Sequence, residues 1–277
     1  MKVAFQGEAG AFSEQAVFGY FEKAESISCE SFDAVFDAIN SGTCEAGIIP
    51  IENSLAGSIH ENYDLLLRNN LHIVGEYLLR VRHCLIANPG VKKADIKKAV
   101  SHPQALGQCA GYLRSHKIKA GQGLDTAGSV KALKESGALD TAAIASRRAA
   151  ELYGMQILEE GIEDNIENYT RFLAIQKEPK IPECDSRQDC AKTSIVFTLN
   201  NVPGALFKAL SVFALRDINL TKIESRPLQG KPWEYLFYID LIGAMQDESS
   251  QKALAHLGEY ALMLRVLGSY PRFMALW

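Results

Sequence analysis

The apolar residues between Thr193 and Tyr270 switch repeatedly between a period of two and a helical period, and this switching leaves few architectures open. Thr193-Ser194-Ile195-Val196-Phe197-Thr198-Leu199 alternates as a strand. Asn200-Asn201 and Pro203 supply a cap region and a proline suited to a helix start. A helix follows to about Leu215, with Leu206, Ala209, Leu210 and Phe213 at core-facing spacing. Asn219 to Ser225 reads as a second strand, Pro227 to Pro232 as a turn and Trp233 to Ile242 as a third strand. Ser250 to Ala261 gives a second helix and Leu264 to Tyr270 a last strand. The order βαββαβ is the split βαβ, ferredoxin-like α+β arrangement, an antiparallel four-stranded sheet with both helices on one face. Such a sheet has exposed edges, and side-by-side pairing of two copies covers one edge of each, so a homodimer is expected and a dimer of dimers is open.

Lys177 to Ala191 carries Pro179, Pro182 and several charges without periodicity and reads as a linker. Before it, short apolar strands alternate with helices: Val3 to Phe5, Ala46 to Ile49, Ile73 to Leu79, Cys84 to Ala87, Ala99 to Ser101, Ala142 to Ala145 and Arg171 to Ile175. That is an α/β pattern with largely parallel sheets. The expected division is a region over 1–178, in two lobes (about 1–77 with 161–178, and about 78–160), a linker over 179–191, the small domain over 192–271 and a tail over 272–277. Neither a G-x-G-x-x-G after the first strand nor a G-x-x-x-x-G-K-[ST] occurs, so no nucleotide cofactor is expected.

A chain of 277 residues, 47% hydrophobic and 22% charged, is too long for one average domain. Its net charge of -4 is scattered, without the basic stripe that phosphate backbones require, so nucleic acid is not an expected partner. Met1-Lys2-Val3-Ala4-Phe5-Gln6-Gly7 starts a strand at once, and no run of eighteen apolar residues follows, so a cytoplasmic protein without a membrane partner is expected. Cys29, Cys44, Cys84, Cys109, Cys184 and Cys190 lack CxxC pairs and zinc-like histidine spacing; they read as reduced thiols, with Cys184 and Cys190 the closest pair. His83 and His102 are isolated and read as structural side chains, so no metal is expected.

A strand, then a turn rich in Ser, Thr, Asn or Gly, then a helix recurs along the first region. Gln6 to Ser13 leads into a helix from Glu14, Pro50 to Ser58 into a helix around Tyr63, and Asp125-Thr126-Ala127-Gly128-Ser129 into Val130 to Glu135. Each turn places hydroxyls and backbone N–H groups at a helix N-terminus, where an anion is stabilised. Any one of Ser13, Ser54 and Thr126 is more commonly a plain N-cap; the number of such turns points to a ligand with more than one carboxylate.

These stretches resemble the prephenate dehydratase family. The resemblance rests on Gly10-Ala11-Phe12-Ser13, Pro50-Ile51-Glu52-Asn53-Ser54 with Gly57, Ser101-His102-Pro103-Gln104-Ala105-Leu106, Asp125-Thr126-Ala127-Gly128-Ser129 and Asn168-Tyr169-Thr170-Arg171-Phe172. Ala11 departs from the threonine of many members. In the small domain, Pro203-Gly204-Ala205-Leu206 and Glu224-Ser225-Arg226-Pro227 look like the effector-loop signatures of the ACT domains joined to these enzymes. The resemblance implies a two-lobed catalytic region of the type II periplasmic-binding-protein kind, the decarboxylating dehydration of prephenate to phenylpyruvate without metal or organic cofactor, and L-phenylalanine as effector on the two ACT loops. It further implies that Thr170 assists departure of the hydroxyl, with Glu52 as a candidate proton partner if its pKa is raised. Arg171 is expected on the pyruvyl carboxylate, and Phe172 on the ring or in the core. Ser13, Asn53, Ser54, Gly57, Thr126, Ala127, Gly128 and Ser129 are expected to bind the substrate. Rival readings are arogenate dehydration, a family member diverted to other small-acid or amide chemistry, and a binding protein without chemistry.

Overall fold

A computed structural model describes residues 1–182, 190–228, 230 and 233–273. The chain opens with β1 (Lys2–Gln6), α1 (Phe12–Tyr20), β2 (Glu25–Cys29), α2 (Phe32–Asn40), β3 (Ala46–Asn53), β4 (Gly57–Ser58), α3 (His60–Arg68) and β5 (His72–Arg80). It continues through β6 (Cys84–Ala87), β7 (Lys98–Ser101), α4 (Pro103–Gln108), α5 (Ala110–Ser115), β8 (Lys119–Gln122), α6 (Thr126–Ser136), β9 (Thr141–Ala145), α7 (Arg147–Tyr153), β10 (Gln156–Glu160) and β11 (Tyr169–Gln176). The last part holds β12 (Ala191–Leu199), α8 (Ala205–Ala214), β13 (Leu220–Pro227), β14 (Tyr235–Ile242), α9 (Glu248–Tyr260) and β15 (Ala261–Pro271). Two compact units emerge: Met1–Leu65 with Tyr77–Phe172, and Leu66–Glu76 with the chain from Leu173 onward.

The strands before β12 form two sheets. In one, the order is β2-β1-β3-β11-β5 with β4 on β3, and β1 runs parallel to both β2 and β3. β3 is central and is buried from Ala46 to Ile51, which is why it reads in the sequence as an unbroken apolar run rather than an alternating one. α2 covers it with Val35, Phe36 and Ile39, and begins where the Ser31 hydroxyl accepts from Ala34 N. The second sheet has the order β10-β6-β9-β7-β8. β7 is parallel to β8 and β9, but β6 is antiparallel to β9 and β10 to β6, so the expectation of largely parallel sheets fails here. α1 begins at Phe12, with Ala11 at the cap position, two residues before the expected start at Glu14. Gly10 reaches φ +92°, and a Cβ there would meet Ala149 Cα at 2.8 Å, so the turn comes close to α7 only because glycine occupies it.

The second unit holds the expected βαββαβ order. β12 pairs antiparallel with β14 and β15, and β13 with β14, giving the order β13-β14-β12-β15. Ala209, Val212 and Phe213 of α8 and Ala253, Leu254 and Leu257 of α9 share one core with Ile195, Phe197, Ile239 and Leu241, so both helices cover the same face. Of these, each buried Val, Leu, Ile or Phe side chain contributes about 1.5–3 kcal/mol and each alanine methyl less. The Leu66–Glu76 stretch is tied to this sheet by the buried Lys192–Glu76 ion pair at 2.8 Å and by Arg265, whose guanidinium donates to the carbonyls of Leu67 and Asn69 at 3.0 and 2.7 Å.

Cys29, Cys44, Cys84 and Cys109 are free, but Cys190 is disulfide-bonded, against the expectation of reduced thiols throughout. That expectation rested on compartment alone, and a compartment is not written in the spacing of cysteines. Cys184, the turn at Pro232 and the Trp277 end of the tail lie outside the described residues. No helix among the described residues is long and apolar enough to cross a membrane.

Candidate active site

The end of β3 and the start of β11 are stitched together by Asn53 and Ser54. Asn53 Oδ1 accepts from Leu55 N and Ala56 N at 3.0 and 2.9 Å, closing the turn after β3. Its Nδ2 lies 2.8 Å from Asn168 Oδ1, 3.1 Å from Tyr169 O and 3.0 Å from Thr170 Oγ1, so two N–H groups serve three acceptors. Ser54 Oγ donates to Glu167 O at 2.7 Å and accepts from Tyr169 N at 2.9 Å. Because Asn53 donates to Thr170 Oγ1, the threonine keeps its own O–H to give elsewhere.

Thr170 borders a cavity of about 130 Å³. One lobe contributes Phe12, Asn53 and Thr170; the other contributes Val81, His83, His102, Gln104, Ala105, Gln108 and Thr126. A larger cavity of about 350 Å³ shares Gln104 and Gln108 and adds Leu55, Ala56, Gly107, Asp164 and Asn165. The first lining contains hydroxyls, amides and imidazoles and no lysine or arginine among its described residues. Thr126 is the first residue of α6, so the positive end of that helix faces the cavity. Asp125 caps the helix by accepting from Gly128 N at 2.6 Å.

Of the residues expected to bind substrate or act on it, Asn53, Thr126 and Thr170 therefore meet at one cavity. The others lie outside its lining, each for a visible reason. Ala127 packs in the apolar cluster under α6. Ser129 Oγ donates to Asp125 O at 2.6 Å, and Gly128 N is taken by the cap. Ser54 is committed to the backbone of 167–169. Gly57 is an exposed glycine at φ +83° that opens β4, and Ser13 sits in the first turn of α1. Arg171 follows Thr170 on a strand, so it projects to the opposite face, where Nη1 lies 3.3 Å from Glu52 Oε1. The carboxylate expected to assist Thr170 and the guanidinium expected on the substrate thus face each other. Phe172 is 2% exposed and belongs to the core.

Seven lining residues are absent from the sequence-derived site: Phe12, Val81, His83, His102, Gln104, Ala105 and Gln108. In the sequence His83 reads as an isolated structural histidine, and Gln104 belongs to the Ser101–Leu106 motif without an expected role. Burial lowers the pKa of His83, against its hydrogen bond to Gln108 Oε1 and the charge of Glu163, so the ring is neutral at neutral pH. Burial likewise pushes the Cys84 thiol up to about 11 and the Cys109 thiol higher still, which removes both as nucleophiles at neutral pH. Ala11 packs against the apolar cluster of Ala127, Val130 and Ala149, a place suited to a small apolar side chain.

A family model described as prephenate dehydratase matches residues 3–180, and one described as ACT domain matches residues 193–259. The chain belongs to the prephenate dehydratase family. Over 280 residues it is 50% identical to "Arogenate dehydratase/prephenate dehydratase 2, chloroplastic" of Arabidopsis thaliana, covering 98% of this chain and 73% of that protein. The solved prephenate dehydratase of Arthrobacter aurescens in complex with L-Phe superposes with a TM-score of 0.89 at 33% identity, over 98% of this chain and 90% of that one. GqqA, described as a novel type of quorum quenching acylase, superposes with a TM-score of 0.91 at 34% identity over 98% of both chains.

In the ACT domain a second cavity, of about 200 Å³, is lined by Leu199 to Val202, Gly204 to Phe207, Trp233, Tyr235 and Phe237. It takes in Gly204, Ala205 and Leu206 of the first effector signature but neither Pro203 nor Glu224, Ser225, Arg226 and Pro227. The latter sit on β13, where Ser225 pairs with Phe237 and Pro227 with Tyr235, one strand from the cavity wall.

Proposed function

We propose that this protein converts prephenate to phenylpyruvate, a step in L-phenylalanine formation, and that L-phenylalanine regulates it through the ACT domain. The observation that carries the reading is the Asn53–Thr170 hydrogen bond at the wall of a cavity bordered by both lobes. In the reaction the bond between ring and carboxylate breaks, its electron pair enters the ring as carbon dioxide leaves, and the hydroxyl departs and takes up a proton to become water. Aromatisation drives the step, so the protein's task is orientation and charge stabilisation. Thr170, held as an acceptor by Asn53, directs its O–H at the departing hydroxyl, and that hydrogen bond strengthens as negative charge grows there. The α6 N-terminus with Thr126 and the amides of Gln104 and Gln108 receive the substrate's carboxylates, including the pyruvyl carboxylate expected on Arg171.

The effector reading is supported by the apolar, aromatic lining of the ACT cavity and by the L-Phe bound in the Arthrobacter enzyme. L-phenylalanine changes turnover only through different affinities for two states of the enzyme. The proposal includes a homodimer formed at the open sheet edges β13 and β15, and a cytoplasmic location, although the Arabidopsis relative is named chloroplastic. Arogenate is the second reading, favoured by that relative's double name.

Incubation with prephenate and, separately, with arogenate, following phenylpyruvate and phenylalanine with and without added L-phenylalanine, tests all of this. Turnover of prephenate that L-phenylalanine modulates and Thr170→Ala abolishes is the expected result. Turnover of arogenate alone moves the assignment to the second reading, and turnover of neither overturns both.

A further inference from the structure

His83 lies between β5 and β6 and is 2% exposed. Its backbone is fixed on both sides: its N–H donates to Glu163 Oε2 at 2.9 Å, and its carbonyl accepts from Gly161 N at 2.9 Å and Ile162 N at 3.2 Å. The ring packs edge-on against Phe12, with centroids 5.4 Å apart and planes at 87°. Nε2 lies 2.8 Å from Gln108 Oε1, whereas Nδ1 is buried without a hydrogen-bond partner. The ring plane is thus set by packing, but nothing on Nδ1 chooses the tautomer.

The contact with Gln108 needs one proton, and two arrangements supply it. With the proton on Nε2, the ring donates to Oε1 and the amide NH2 of Gln108 is left over. With the proton on Nδ1, the amide must turn over, donate to the bare Nε2 and present its oxygen instead. Gln108 borders the same cavity as Thr170, and among the described residues nothing accepts from its Nε2. One arrangement therefore offers donors to the cavity and the other an acceptor, which for an anion is the difference between attraction and repulsion. Orphaned buried N–H groups are rarer than orphaned acceptors, so a bare Nδ1 lone pair is the more tolerable state.

We propose that His83 is a positioning residue for the dehydration: its Nε2–H tautomer holds the Gln108 amide with NH2 turned into the cavity, where it meets a carboxylate of the substrate. The inference rests on reading this cavity as the substrate site. Bound anion and tautomer support each other, since an anion favours the donor arrangement. Glu163 is the charged group that acts on the ring from a neighbouring segment, His102 lines the same cavity, and Phe12 and Val81 add no titratable group. Burial keeps the imidazole neutral, so the tautomer rather than the charge sets what Gln108 presents.

Nitrogen chemical shifts of the histidine rings in the full-length protein, labelled at histidine and assigned with His83→Gln, read the tautomer directly. Protonation at Nε2 in the prephenate complex of the turnover-deficient Thr170→Ala protein is expected; protonation at Nδ1 there overturns the proposal. In kinetics, Gln replaces the Nε2 donor, whereas Leu replaces only the bulk. His83→Leu is therefore expected to lose roughly 10- to 100-fold in kcat/KM, mostly through KM, with His83→Gln recovering most of the loss. Leu matching Gln would mean packing alone and would sink the idea, and the shift measurement stands even if His83→Leu does not fold. Thr170→Ala separates the two levels: if it leaves turnover intact, the cavity reading falls and this proposal with it. If it abolishes turnover while the His83 series is flat, only the role of His83 is lost.

Discussion

The cavity at Thr170 gathers Phe12, Asn53, His83, Gln108, Thr126 and Thr170 from widely spaced stretches of chain and shows amides, hydroxyls and an imidazole; the cavity in the ACT domain uses two short stretches, Leu199–Phe207 and Trp233–Phe237, and shows mostly aliphatic and aromatic surface. The contrast separates two kinds of recognition. A polar wall assembled over long distances depends on each hydrogen bond being placed by its neighbours, so single substitutions should cost function more than stability. An apolar wall built on a small sheet depends on the core beneath it, so substitutions there should cost stability first.

Phe197→Ala empties the centre of the ACT core, where the ring is fully buried and stacked on Phe237 at 5.5 Å. We expect a loss of about 3–5 kcal/mol in the unfolding of that domain, read by chemical denaturation. A small loss would mean that the apolar region is as forgiving as a surface. Thr170→Ala tests the opposite region. Turnover should fall by about 10²–10³-fold with an unchanged melting temperature, because one preorganised donor is removed and no core is opened. A melting temperature that falls in step with turnover would erase the distinction between the regions.

Gly204→Ala is a milder probe of the ACT loop. The residue has φ +75° and caps α8, and no atom lies within 4 Å of a built Cβ, so the cost is backbone strain alone, about 1–2 kcal/mol. L-phenylalanine binding, measured by calorimetry, should weaken while basal turnover holds. The smallest effect concerns Glu14, whose carboxylate accepts from Gly10 N, Ser26 Oγ and Arg148 Nε. Burial raises its pKa, but the hydrogen bonds from Arg148, Gly10 and Ser26 and the charge of Arg148 outweigh burial and leave it lowered. A lowered folded-state pKa contributes stability that is present above the unfolded value and lost as pH falls through the folded one. Unfolding between about pH 5 and pH 3 should therefore be less pH-dependent in Glu14→Gln than in the unaltered protein. Identical acid profiles would show that the carboxylate is not part of the acid response.

Much of this molecule is legible in one dimension. The ACT domain follows from its own alternation because one face of its sheet is covered by α8 and α9, and β3, β6 and β9 announce themselves as apolar runs because they are buried on both faces. β2, β8 and β10 escaped the reading for one shared reason: each is the edge strand of its sheet, half solvated, and Glu25–Cys29, Lys119–Gln122 and Gln156–Glu160 have no need of continuous apolar character. The same limit applied at the site. Asn53, Thr126 and Thr170 could be named from motifs, since their local turns demand those residue types. Their neighbours could not: His83 and Gln108 acquire meaning only from a 2.8 Å contact across twenty-five positions of chain, and Arg171 was drawn to the substrate by chemistry that ignored which face of β11 it occupies. The sequence by itself determined the elements, their order and the residue types held at each turn, because these are set by local sterics and periodicity. The tertiary structure alone decided which side chains share a cavity and which spend their hydrogen bonds on the backbone, because that depends on strand faces and on contacts between segments that no spacing rule connects.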